Sequence, residues 1–192
     1  MNIDVWLPLL LAGLLQTNDY DQKLQEHIYN EKPIFGNKDN ALEWSDHFQN
    51  YTTVAYITTG FIEQPIEIVL YEIISVEGII VIKNNLQEGI KDERPISKND
   101  DGMPSGHAMI SAYQAKLATI NYQPIGISTN IAAFMSGYAR IEQGAHYPSQ
   151  VLIGWGLGNL MGDIAENYFN KNINVTPFIS TDIIGLSWRY SL

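Results

Sequence analysis

The sequence predicts an all-α fold, a helical bundle ending in a short C-terminal β-hairpin or extended tail. Three observations carry this expectation. Long stretches repeat apolar residues at spacings of three and four. Pro65, Pro124 and Pro148 each stand where a helix would begin. Clear alternation occurs at the C-terminus, where Leu186, Trp188, Tyr190 and Leu192 interleave with Ser187, Arg189 and Ser191.

In chain order, residues 4–16 read as a short apolar helix, with Pro8 unusual near its start. Residues 18–40 are polar and contain Pro33 and Gly36, which predicts a short helix followed by a loop. Ala41, Leu42, Trp44, Phe48, Tyr51 and Val54 give residues 41–60 a helical period. A long pattern runs from Gln64-Pro65 to Asp92. Its β-branched residues leave strand as an alternative, but its length favours helix. Glu63, Glu67, Glu72 and Glu77 count against burial of that helix in lipid and read as a solvated face.

Residues 93–104 are rich in Asp, Asn, Pro and Gly and read as a loop. Three helices follow: from Ser105 to near Ile120, from Pro124 to near Gln143, and from Pro148 to near Tyr168. Gly154, Gly156, Gly158 and Gly162 would let a neighbour approach the last of them. The terminal strand would pair with Asn172 to Ser180 through a Thr181-Asp182 turn. The chain thus divides into a helical domain, 1–171, and a tail, 172–192.

Composition removes several function classes. Eleven Lys and Arg against 21 Asp and Glu give a net charge of −10 over 192 residues. That argues against a nucleic-acid binder, which needs a basic face, and disfavours electrostatic docking to an anionic membrane. With no cysteine there are no disulfides, thiolate metal sites or thiol nucleophiles. The strongest apolar run, Val5 to Leu15, is too short to span a bilayer. The start Met-Asn-Ile-Asp lacks the positive region of a signal peptide. A soluble, peripheral or complex-embedded protein is expected rather than a polytopic one. His27 and His47 read as surface residues, and Trp6, Trp44 and Trp155 as core or interface aromatics.

Chemistry concentrates in three islands. Lys91-Asp92-Glu93-Arg94-Pro95 closes the long helix, Pro104-Ser105-Gly106-His107 opens the next, and Arg140 to His146 and Pro148 joins the last two. Ser105 and Gly106 sit where a loop becomes a helix, so open backbone N–H groups and the helix dipole favour an anion. Arg94 and Arg140 can fork onto phosphate oxygens. Two histidines suit covalent and proton work, one attacking phosphorus and the other protonating the leaving oxygen.

In order and spacing, these islands resemble the three signature motifs of the type 2 phosphatidic acid phosphatase superfamily. That group contains bacterial acid phosphatases, lipid phosphate phosphatases and vanadium haloperoxidases. Its pattern is K-x6-R-P, then P-S-G-H, then S-R-x5-H-x3-D. Arg94-Pro95 matches the end of the first motif, Pro104 to His107 match the second, and Arg140 with His146 match the third. The resemblance spans residues 60–165 and implies a helical bundle. It implies His146 as the nucleophile forming a phosphohistidine and His107 as the general acid. Arg94, Arg140, Ser105 and the Gly106 amide would hold the phosphate. No metal or other cofactor is implied, and vanadate would bind as a phosphate mimic. The family leans toward the cell envelope, periplasmic or membrane-associated, over the cytoplasm.

Three positions depart from the pattern. Gln87 stands where the first-motif lysine belongs, Gln150 where the third-motif acid belongs, and Ala139 replaces a serine. A glutamine carbonyl can fix an imidazole tautomer but adds no charge; losing a triad carboxylate costs up to about 10⁴ in rate. Glu142, one turn before His146, is a possible substitute. Lys83 and Lys91 flank Gln87 on one helical face, and Lys91, near Arg94, is the expected replacement cation. Two principal readings follow. One is a phosphatase acting on a phosphorylated lipid or small phosphoester. The other is a catalytically impaired relative serving as a structural subunit or scaffold in a larger, envelope-associated complex, contacting a membrane surface or protein partner through its tail. A vanadium haloperoxidase is a third and weaker reading.

Overall fold

Most helices in this chain have one buried side, but one has almost no exposed side, and the bundle is built around it. In the computed structural model, residues 2–17, 19–31, 33–179 and 184–190 are described, those beyond 167 as backbone only. The helices are α1 (Ile3–Leu15), α2 (Tyr20–Glu31), α3 (Lys38–Glu63), α4 (Ile66–Ile90), α5 (Gly106–Asn121), α6 (Gly126–Glu142) and α7 (Pro148–Asn172), with a 3-10 turn at Gln123–Ile125. The helical reading of residues 64–92 holds: α4 is one continuous helix, and Pro65 caps it.

The central element is α5, which packs against α3, α4, α6 and α7. Ala108, Met109, Ala112, Tyr113, Ala115, Leu117 and Ala118 are all buried. Four alanines let neighbouring backbones come close while Met109, Tyr113 and Leu117 fill the remaining volume. The glycines of α7 serve the same contact. A β-carbon on Gly158 would collide with the Met109 carbonyl, and one on Gly154 would lie 2.6 Å from the Ser105 carbonyl. This holds α7 against the first turn of α5, where two of the three motif islands meet.

On the other side of α7 lies α1, running antiparallel. Asp4 shares Lys116 with Asp163, and Leu9 lies over Gly156. Its outer face carries Ile3, Trp6, Leu7, Leu10, Leu11 and Leu14, all exposed. Trp6 and Trp44 are therefore surface aromatics rather than core ones, Trp44 stacking on Phe35. Among the described residues no helix is long and apolar enough to cross a membrane.

One detail differs from the sequence expectation. Glu63 and Glu77 are exposed, but Glu72 is buried beside Asn121, whose amide donates to it at 3.1 Å. It faces α5 because α4 turns that side inward, along with Val69, Val76 and Ile79. At the C-terminus β1 (Ile173–Ile179) pairs antiparallel with β2 (Ile184–Tyr190), Val175 opposite Trp188. The expected Thr181-Asp182 turn lies outside the described residues.

Candidate active site

The loop between α4 and α5 is pinned by its own backbone. The Arg94 amide donates to the Asn99 carbonyl at 3.0 Å, and the Gly102 amide to the Asp92 carbonyl at 2.8 Å. Gln87 adds a side-chain anchor: its Nε2 donates to the carbonyls of Asp101 and Pro104 at 2.9 and 3.0 Å. The residue standing at the lysine position is thus a buried brace for the Pro-Ser-Gly-His turn. From α7 the Gln150 carbonyl accepts the Ser105 amide at 3.0 Å. Three elements therefore converge on the start of α5.

His146 lies at the bottom of this convergence, only 1% exposed. Its Nδ1 faces two oxygens, the Gly102 carbonyl at 2.9 Å and Gln150 Oε1 at 3.2 Å. Both are acceptors, so Nδ1 carries the hydrogen and Nε2 keeps its lone pair. Burial first, then the positive charges of Arg94 and Arg140, push the His146 pKa down to about 3. The ring is neutral at ordinary pH, as a nucleophile must be.

Gln150 is itself held rigidly. Its Nε2 donates to Asp92 Oδ2 at 2.7 Å and to the Glu93 carbonyl at 2.8 Å, while its Oε1 also accepts the Tyr147 amide at 3.0 Å. The amide has one satisfactory orientation, with oxygen toward His146. Gly102 makes room for this: a β-carbon there would strike the Gln150 amide and stand 2.8 Å from the Asp92 carbonyl. A carboxylate is present after all, one amide away from the imidazole. Glu142 does not play that part. Its carboxylate accepts the Ile34 and Phe35 amides, each at 2.8 Å, and so ties down the loop before α3.

His107 occupies a more open position in the first turn of α5, its side chain 27% exposed. Nε2 lies 2.8 Å from Asp46 Oδ1 on α3. Burial and the neighbouring Arg140 lower its pKa, and the Asp46 carboxylate opposes them.

The cationic groups are unevenly matched. Arg94 grips Asp101 with Nε and Nη2 at 2.7 and 2.9 Å, leaving only its remaining edge for another partner. Arg140, at the end of α6, is 9% exposed, and its Nε and Nη1 have no hydrogen-bond partner. Burial and the charge of Arg94 lower its pKa to about 10. The Ser105 hydroxyl is buried without a partner as well, and it does not cap its own helix. Orphaned donors of this kind are costly unless something accepts from them. An anion at the first turn of α5, where N–H groups are open, would satisfy both residues.

A family model described as the PAP2 superfamily matches residues 16–174. The chain belongs to the PAP2 superfamily. Two solved structures share the fold. One is the first transmembrane PAP2 type phosphatidylglycerolphosphate phosphatase from Bacillus subtilis, with TM-score 0.67 and 17% identity over 86% of this chain and 94% of that one. The other is Aquifex aeolicus LpxE, with TM-score 0.63 and 21% identity over 77% of this chain and 94% of that one. No curated protein sequence gives a significant match.

The structure brings His107, His146, Arg94 and Arg140 close together around the start of α5, where Ser105 and Gly106 lie. Lys91 ends α4 in a left-handed conformation and lines a groove with Gln87, Glu88, Asn99, Asp100 and Asp101. Motif reading does not flag Asp46, Asp92, Asp101 or Gly102. Asp92 and Asp101 lie within or beside the islands, but no spacing rule distinguishes them from loop residues. Asp46 is brought in by the packing of α3 on α5, which the sequence does not reveal. The expected surface histidines do lie outside, His27 and His47 pairing with Glu31 and Glu43 on their own helices.

Proposed function

We propose that this PAP2 protein is a phosphatase that hydrolyses a phosphomonoester, most simply a phosphorylated lipid, through a phosphohistidine on His146. The observation that carries this reading is the buried, neutral His146, its Nδ1 committed to two acceptors beside the unpartnered donors of Arg140 and Ser105. Phosphate oxygens accept from Arg140, from the open edge of Arg94, from Ser105 and from the Gly106 amide. His146 Nε2 attacks phosphorus and the bond to the ester oxygen breaks. The leaving alkoxide takes the proton of His107, which Asp46 keeps available. Water then attacks the phosphohistidine, giving its proton to His107, and His146 is released with inorganic phosphate.

A lipid substrate is supported by the apolar outer face of α1, which offers a helix able to lie against a bilayer surface. One relative of the same fold is itself named as a phosphatase of a phospholipid. Gln87 and Gln150 are both held in the site by hydrogen bonds, which fits the phosphatase reading.

The test is phosphate release from phospholipid and soluble phosphomonoesters by the protein and by His146→Ala. Release that disappears in the variant is expected. No release from the unaltered protein on any substrate would leave the scaffold reading in its place.

A further inference from the structure

We infer that Lys83 supplies the third cation of the phosphate cradle, from one helical turn before the position where the family carries its lysine. The inference rests on the phosphatase reading and concerns how the same site is completed. Positions 83 and 87 lie on one face of α4. At 87 the glutamine amide is spent on the carbonyls of Asp101 and Pro104, so that turn contributes a brace and no charge. At 83 the side chain lies across the start of α5. Its Cδ is 3.0 Å, and its Nζ 3.7 Å, from the place a β-carbon on Gly106 would occupy.

Two consequences follow from that geometry. The ammonium stands over the glycine whose amide opens the helix, the spot where an anion at the α5 N-terminus would sit. Gly106 also acquires a role particular to this chain, because any side chain there would crowd the Lys83 stem. The electrostatic surroundings agree: partial burial and Arg94 lower the Lys83 pKa while Asp101 raises it, placing the ammonium in the field of the same arginine that acts on His146. Lys91, by contrast, lines the groove with Glu88, Asn99 and Asp100.

The experiment measures binding of inorganic phosphate and orthovanadate by calorimetry, together with kcat and KM for a lipid phosphate. The variants are Lys83→Gln, Lys83→Arg, Lys91→Ala, Lys98→Ala and the double exchange Lys83→Gln/Gln87→Lys. Loss of a charged hydrogen bond to phosphate predicts about tenfold or greater weakening in Lys83→Gln. Lys83→Arg retains most of the affinity, Lys98→Ala all of it, and the double exchange recovers part by restoring the family arrangement. A purely structural role for Lys83 would give no recovery on moving the charge to 87. Unaltered phosphate affinity in Lys83→Gln, in a protein that binds phosphate and turns over, overturns the inference alone. So does a loss confined to Lys91→Ala. If the unaltered protein neither binds phosphate or vanadate nor releases phosphate, the phosphatase reading falls and this inference falls with it.

Discussion

The two histidines of the site sit in opposite surroundings. His146 is walled in and held by neutral oxygens, a backbone carbonyl and a glutamine amide. His107 is partly open and held by a carboxylate. Burial and the charges of Arg94 and Arg140 keep His146 uncharged, and they outweigh the smaller upward pull of its two acceptors, which fix the tautomer. At His107 burial and Arg140 lower the pKa, and the Asp46 carboxylate offsets part of that and gives the imidazolium a partner. The contrast agrees with the proposed roles, His146 as nucleophile and His107 as proton donor. On the proposed mechanism Gln150 supplies an oriented acceptor to Nδ1 and no charge.

The largest effect separates the roles directly. His146→Ala should lower phosphate release by at least about 10⁴-fold on every substrate, since it removes the attacking atom. His107→Ala should lose most on alkyl phosphates, and much less on an aryl phosphate whose leaving group needs no proton. Alkaline quenching of that second variant during turnover of the aryl phosphate should reveal phosphohistidine, identified by its loss on later acid treatment, because water attack lacks its base. Phosphoenzyme in His146→Ala would break the comparison.

Next comes the wall around His146. Asp92→Ala removes the strongest anchor of the Gln150 amide, whose oxygen is then free to turn away from Nδ1. A fall in kcat of about 10–100-fold is expected, the range found when a partner orienting a ligating imidazole is lost, with KM little changed. Gln150→Glu places a second carboxylate against Asp92 and the Glu93 carbonyl. It should be worse than Asp92→Ala alone, and the double variant Gln150→Glu/Asp92→Asn should recover activity. A Gln150→Glu enzyme as active as the unaltered one would show that the amide is not specifically required.

The carboxylate beside His107 predicts a shift in pH dependence. As general acid His107 must be protonated, so kcat falls as pH rises through its pKa. Asp46 raises that pKa against burial and Arg140. Asp46→Asn therefore moves the alkaline limb of the profile to lower pH, while the acid limb stays in place. A profile unchanged in shape would remove Asp46 from the mechanism.

How much of this could be read beforehand depended on distance along the chain. Helices with a proline start and a three-four period, such as those after Pro124 and Pro148, were legible because the signal is local. So was the PAP2 motif set, whose residues are fixed by spacing within each island. The partners that tune those residues were not. Asp46 meets His107 only through packing of α3 on α5, and Glu142 looked available to His146 until its bonds to the Ile34 and Phe35 amides were known. Between Lys83 and Lys91, helical periodicity put both on one face, but α4 ends at Lys91 in a left-handed conformation that breaks that periodicity.

Glu72 carries the histidine contrast to the far side of the bundle, where its effect is the smallest and falls on stability. It is a buried carboxyl that accepts from the Asn121 amide, and burial raises its pKa to about 7. A carboxyl raised in the folded state binds its proton there more tightly than in the unfolded chain. Stability therefore falls as pH rises from the unfolded carboxylate range, near 4.5, through about 7, and levels off above. Glu72→Gln keeps the shape and removes the titration. It should raise Tm at about pH 8, by an amount corresponding to up to about 3 kcal/mol, with little change at about pH 5 and no change in kcat. An equal shift at both pH values would mean that Glu72 is compensated in the fold. The isolation that keeps His146 neutral by design would then not extend to this second buried group.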